Sequence, residues 1–145
     1  MRASSSTIFR GTLFLAGAFI VMTGLNIGLG GMVTLGWQGS NDFVAITDPH
    51  AFALQDSHIR FLGGLWFGLG LMLWAGAWNP ARLATALNLT FALIFIGGVM
   101  RLISSKPDVI FGPDIVGSLA AELIGMPILL FWLSRVSRAE NRERG

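Results

Sequence analysis

Residues 56–78 read DSHIRFLGGLWFGLGLMLWAGAW, and an arginine stands near the start of this apolar run. Arg60 is followed by Gly63 and Gly64 at i+3 and i+4, so on a helix both glycines share its face. Glycine lets a neighbouring helix come close, which turns that face toward other helices rather than toward lipid. The pattern returns reversed in GGVMR, where Gly97 and Gly98 precede Arg101. A third apolar run carries Glu122. Ionisable side chains inside runs of hydrocarbon length are costly unless paired, and each is a candidate site.

Working outward, charged residues make up 12% of the 145 residues and apolar residues 53%, with 19 glycines. A soluble domain is about 25% charged. The profile is that of a polytopic membrane protein built as one domain, 1–145. There is no cysteine, which excludes disulfides, thiolate metal sites and a cysteine nucleophile. The sequence shows no phosphate loop, nucleophile elbow or zinc spacing. The net charge of +2 arises from arginines gathered toward the termini, which in such a chain speaks of topology before nucleic acid.

The apolar runs predict four helices over about 11–33, 57–78, 81–103 and 114–134, an all-α integral membrane four-helix bundle. A charged tail, 135–145, is expected to fray. The first run is too long for a signal-peptide core and lacks a following A-x-A site. Its Gly24 and Gly28 are spaced for close packing. Between the first two helices, Trp37 reads as an interfacial anchor. Asp48-Pro49 reads as an N-cap followed by proline at the first helical position, opening either a surface helix or an early start of helix two. Asp56 lies four residues before Arg60, a favourable helical pair. Trp74 and Trp78 mark the far interface, and Asn79-Pro80 stops the helix. Pro127 cannot donate to the carbonyl of Leu123, so helix four should kink there.

Four spans place both termini on one side. That side carries Arg2, Arg10, Arg82, Arg135, Arg138, Arg142 and Arg144, whereas the opposite loops carry Lys106 and five aspartates. The positive-inside rule puts both termini in the cytoplasm and the protein in a bacterial inner (plasma) membrane.

On this topology Arg60 and Arg101 share the outer leaflet. Glu122 lies eight residues past Asp114, roughly 12 Å deep at 1.5 Å per residue. Arg60, Arg101 and Glu122 are expected to meet, joined by Asn26 and by Ser118, which sits four residues before Glu122. Gly63, Gly64, Gly97, Gly98 and Gly125 are expected to be helix-packing positions. Asn26 and Asn88 are expected to bond across helices. His50 and His58 lie on the outer side or at the interface, where they do not fit haem ligation between helices and metal binding is not expected. No metal, cofactor or catalytic residue is expected.

With these residues in view, the chain resembles a bacterial family of small four-helix membrane proteins known only as a domain of unknown function. The resemblance covers about His58 to Trp132 and rests on RFLGG at Arg60–Gly64, GGVMRLIS at Gly97–Ser104 and AE at Ala121–Glu122. The family usually has an aromatic residue just before the first Gly-Gly, where this chain has Leu62. The resemblance implies a membrane location and a four-helix fold, and brings no activity.

These observations lead to a non-enzymatic accessory or structural membrane protein embedded in the lipid bilayer, with a membrane-protein partner or a second copy as its associate. The alternative is a carrier that binds a small solute or lipid headgroup at the Arg/Arg/Glu pocket. The third reading is a membrane enzyme with Glu122 as acid–base.

Overall fold

The four apolar runs become four long helical segments, each able to cross a membrane by length and composition: Ser5–Thr34, Pro49–Trp78, Ala84–Ile103 and Pro113–Ala139. The computed structural model describes residues 2–34, 46–104 and 106–144. Trp37 lies outside the described residues, as do the positions around Gly39 and Ser40. No strand occurs among the described residues. Only 22–28% of the most apolar window of each span is buried. Side chains such as Leu15, Leu29, Phe61 and Ile103 stand exposed along them. Water would not tolerate so continuous an apolar surface, but lipid does.

Helix α1 runs Arg2–Gly30 and passes into a 3₁₀ turn, Gly31–Thr34. Helix α2 is Pro49–Trp78 and α3 is Ala84–Ser104. A short α4, Pro107–Ile110, precedes α5, Pro113–Ala120. A π-helical turn, Ala121–Gly125, then joins α5 to α6, Met126–Arg144.

Three of the four helical segments outrun the expected bounds, and the third starts later than 81. The first begins at Arg2, because Arg2–Arg10 contains no glycine or proline to stop it. The second begins at Pro49, where Asp48 accepts the backbone N–H groups of His50 (2.9 Å) and Ala51 (3.1 Å). The third begins at Ala84 after a turn in which Arg82 N–H donates to Asn79 Oδ1 (3.2 Å). The tail expected to fray is helical to Arg144, since arginine, alanine and glutamate are good helix formers.

Contacts divide the chain into two compact units, Phe14–Trp74 and Met1–Leu13 with Ala75–Gly145. In the first, glycines bring α1 and α2 together antiparallel. A Cβ on Gly70 would sit 2.7 Å from the backbone of Val21, and one on Gly24 would overlap the backbone of Phe67. Trp66 donates to Thr23 Oγ1 (2.9 Å) and Trp74 to the carbonyl of Phe14 (3.0 Å), so indole N–H groups reinforce the seam.

In the second unit α3 packs on α6, and Leu87, Phe91, Leu133 and Val136 are buried there. Trp132 of α6 meets the start of α1. Its ring stands edge-on to Phe9 with centroids 5.3 Å apart, and its N–H donates to Ser5 Oγ (3.0 Å). Apolar burial adds little drive between helices in lipid, so this interdigitation and these hydrogen bonds are what hold the elements together.

Candidate functional site

Gly98 and Arg101 are three residues apart on α3, one turn along the same face. Glu122 lies across that face. A Cβ on Gly98 would come within 2.7 Å of Glu122 Cβ and 3.2 Å of its Oε2. The missing side chain is therefore the bed on which the glutamate rests. One turn on, Arg101 Nη2 meets Glu122 Oε1 at 3.2 Å, and Arg101 Nη1 donates to Ser118 Oγ at 2.8 Å. Ser118 in turn donates to the carbonyl of Ile115 (2.9 Å), which fixes its lone pairs toward the guanidinium. The glutamate side chain is 10% exposed and the arginine 38%. Glu122 Oε2 is buried and has no hydrogen-bond partner.

The π turn explains why Glu122 sits where it does. Pro127 has no N–H to offer Leu123, and its ring crowds the carbonyl one turn back. The chain widens by one residue here, and Met126 N–H donates to Ala121 O, five residues back. Beside the kink expected at Pro127 the structure shows a π turn, centred one residue past Glu122. Proline signals the disturbance in the sequence, but nothing there tells a kink from a widened turn.

Arg60 and Gly63 do the corresponding work in the other unit. A Cβ on Gly63 would strike the backbone of Gly28, so the end of α1 lies directly against α2. Gly31 ends α1 with φ +67°, a left-handed conformation that suits glycine alone. Arg60 donates to the last helical carbonyls of α1, Leu29 O and Gly30 O (3.4 Å for the latter). Its Nε bonds Asp56 Oδ2 at 2.6 Å, and Asp56 Oδ1 accepts Met32 N–H at 2.7 Å. The Asp56–Arg60 pair thus satisfies both senses of the helix end, carbonyls through the cation and the next N–H through the anion.

Asn26 belongs to this helix end. Its Nδ2 donates to the carbonyl of Thr34 (3.2 Å), and Thr34 Oγ1 donates back to the carbonyl of Asn26 (2.9 Å). The bond expected to cross helices is local, because the 3₁₀ turn folds Thr34 back over α1. Asn88 is exposed on α3. Of the expected packing glycines, Gly63 and Gly98 make the close approaches. A Cβ on Gly64, Gly97 or Gly125 would meet nothing within 4 Å among the described residues. A helix step of about 100° separates the two members of each Gly-Gly pair, which takes the second off the contact.

One participant escaped the sequence reading. Arg10, taken there as a topology charge, donates to the carbonyls of Ala77 (3.3 Å) and Trp78 (2.6 Å) at the end of α2. Arg60 of α2 grips the end of α1, and Arg10 of α1 grips the end of α2. The only sequence signal was an arginine at the edge of an apolar run with a helix end due opposite. Among the described residues no group of three or more His, Cys, Asp or Glu could hold a metal ion.

A family model for a domain of unknown function, DUF4345, matches residues 8–133. The chain belongs to the DUF4345 family. No curated protein and no solved structure matches it. The DUF4345 span extends the resemblance seen in the sequence back through α1. It takes in Arg10, Asp56, Arg60, Arg101, Ser118 and Glu122, and stops before the last turns of α6.

Proposed function

We propose that this DUF4345 protein is a non-enzymatic structural or accessory component of the bacterial inner membrane, with both termini cytoplasmic, that works in association with another membrane protein or a second copy. One observation carries this reading: Arg60 and Arg101, the arginines beside the Gly-Gly pairs, are engaged by the chain itself. Arg60 is held by Asp56 and two helix-end carbonyls, and Arg101 by Glu122 and Ser118. A guanidinium committed in this way sets helix position and is not offered to a passing solute. The arginine-rich termini and α2–α3 turn, set against opposite loops that carry only Lys106, support the orientation.

A second reading has one specific observation in its favour. Glu122 Oε2 is a buried acceptor without a donor, next to a widened turn, and π turns are frequent at functional sites. In that reading Arg101, Glu122 and Ser118 form a polar pocket for a small solute or headgroup.

Native mass spectrometry of gently extracted protein distinguishes the two, using the wild type and the Arg101→Met/Glu122→Gln double variant. A structural pair predicts that both retain the same protein partner or copy number. A small ligand bound to the wild type and lost from a folded double variant would overturn the structural reading.

A further inference from the structure

Helix α6 does not end with its apolar part. It continues to Arg144, beyond the residues the family model matches, and this extension is basic along one stripe. At roughly 100° per residue, Arg135, Arg138 and Arg142 fall within about 60° of one another. The register positions of Glu140 and Glu143 lie about 140° and 80° from Arg135. All three arginines are exposed, while Val136, on another face of the same turn, is buried.

The direction of these side chains matters more than their number. Helical side chains lean toward the N-terminus of their helix. For a helix leaving the bilayer at its C-terminal end, that lean is back toward the membrane. Two of the three arginines show it. The Arg135 guanidinium lies over the Phe131 ring, 4.4 Å from its centroid. Arg138 reaches back to Ser134, with Nε donating to the carbonyl (2.8 Å) and Nη2 to the hydroxyl (3.2 Å). Phe131 is itself exposed within the fourth span, so on the proposed topology its ring faces lipid. Each cation is thereby drawn about one turn, ~5 Å, closer to the hydrocarbon than its own Cα. On the proposed topology this carries them toward the lipid phosphates, and a planar guanidinium matches phosphate oxygens two at a time.

We propose that Arg135, Arg138 and Arg142 form a binding stripe for the phosphate of an anionic phospholipid, held at headgroup depth by Phe131 and Ser134. The ligand is a lipid and not a soluble phosphate because the stripe runs directly into the lipid-facing surface of the same helix. An acyl chain can lie along Phe131 while its headgroup meets the arginines.

The test uses the full chain in a neutral detergent, offered phosphatidylglycerol or phosphatidylcholine, with bound lipid counted by native mass spectrometry. Each arginine near an anionic surface is worth about fivefold in affinity, so Arg135→Gln/Arg138→Gln/Arg142→Gln should lose on the order of a hundredfold for phosphatidylglycerol. The single variant Arg82→Gln, an exposed arginine in the α2–α3 turn, should lose little. The triple Arg→Lys variant keeps the charge and reports retained folding. It should bind more weakly than wild type and better than the Gln triple. Equal retention of both lipids by wild type overturns the proposal, as does a loss on Arg82→Gln as large as on the Gln triple. Displacement of phosphatidylglycerol by inorganic phosphate would assign the stripe to a soluble anion and overturn the lipid assignment.

Discussion

The Arg101–Glu122 pair has unequal burial, and that asymmetry makes a sharp prediction. Breaking a buried pair by removing one partner costs roughly 3–5 kcal/mol, because a charge is left behind without compensation. Here the two orphans differ. Glu122→Gln leaves Arg101, whose side chain is 38% exposed and can turn toward water or headgroups. Arg101→Met leaves a carboxylate only 10% exposed, lying on Gly98 with one oxygen already without a partner. Glu122→Gln should therefore cost about 1–2 kcal/mol and Arg101→Met about 3 kcal/mol or more. The double variant has no orphan charge and should regain 1 kcal/mol or more over Arg101→Met alone. With about 2–4 °C per kcal/mol for a chain of this size, Arg101→Met should unfold roughly 6–12 °C below wild type in detergent, with the double variant between it and Glu122→Gln. Thermal unfolding of the three variants reads this directly. If Glu122→Gln were the costlier single change, or the two losses simply added, the pair would not be the buried unit described.

The paired glycines give a second comparison. Gly63→Leu and Gly98→Leu should sharply lower folded yield in detergent, whereas Gly64→Leu and Gly97→Leu should leave it near wild type, because only the former meet neighbouring atoms. Asp56→Asn should loosen the end of α1, seen as faster amide exchange at Met32, since it removes the anion from a charge-assisted N–H acceptor. A reporter fused after Gly145 should read cytoplasmic and one inserted at Gly39–Ser40 external, and an external C-terminus would contradict the four-span topology.

Much of this was legible because the sequence departs so far from a soluble composition. Apolar runs of bilayer length announce four spans, and Asp48-Pro49 and Asn79-Pro80 announce a cap and a stop. Arg60 and Arg101 stand out for the same reason, being ionisable where ionisable residues are rare. Depth was the weaker guide to partners. Sharing a leaflet suggested that Arg60, Arg101 and Glu122 meet, and depth alone could not say which acceptor each arginine takes. Arg60 has Asp56 one turn away on its own helix and the bare carbonyls of α1 against it, because Gly63 and Gly28 let the two backbones close. Those carbonyls exist only once α1 has ended at Gly31, a tertiary fact no periodicity displays. The same holds for Arg10, whose acceptors at Ala77 and Trp78 lie 67 and 68 residues away in sequence. One member of each Gly-Gly pair, Gly63 and Gly98, makes a close approach, and choosing that member needs the rotation of the helix to within one residue.

The central claim is that an arginine one turn from a glycine grips whatever the glycine admits, and that in α3 this is the Glu122 carboxylate. Solid-state NMR in lipid bilayers measures it most directly, through dipolar coupling between the guanidinium nitrogens of Arg101 and the carboxyl carbon of Glu122. The chain has no obstacle to labelling those two sites selectively by comparing wild type with Arg101→Met and Glu122→Gln. Strong coupling is expected, consistent with the 3.2 Å N···O separation, and it should vanish in both variants. Absence of that coupling in the wild type, with Arg101 coupled instead to lipid phosphorus, would contradict the claim.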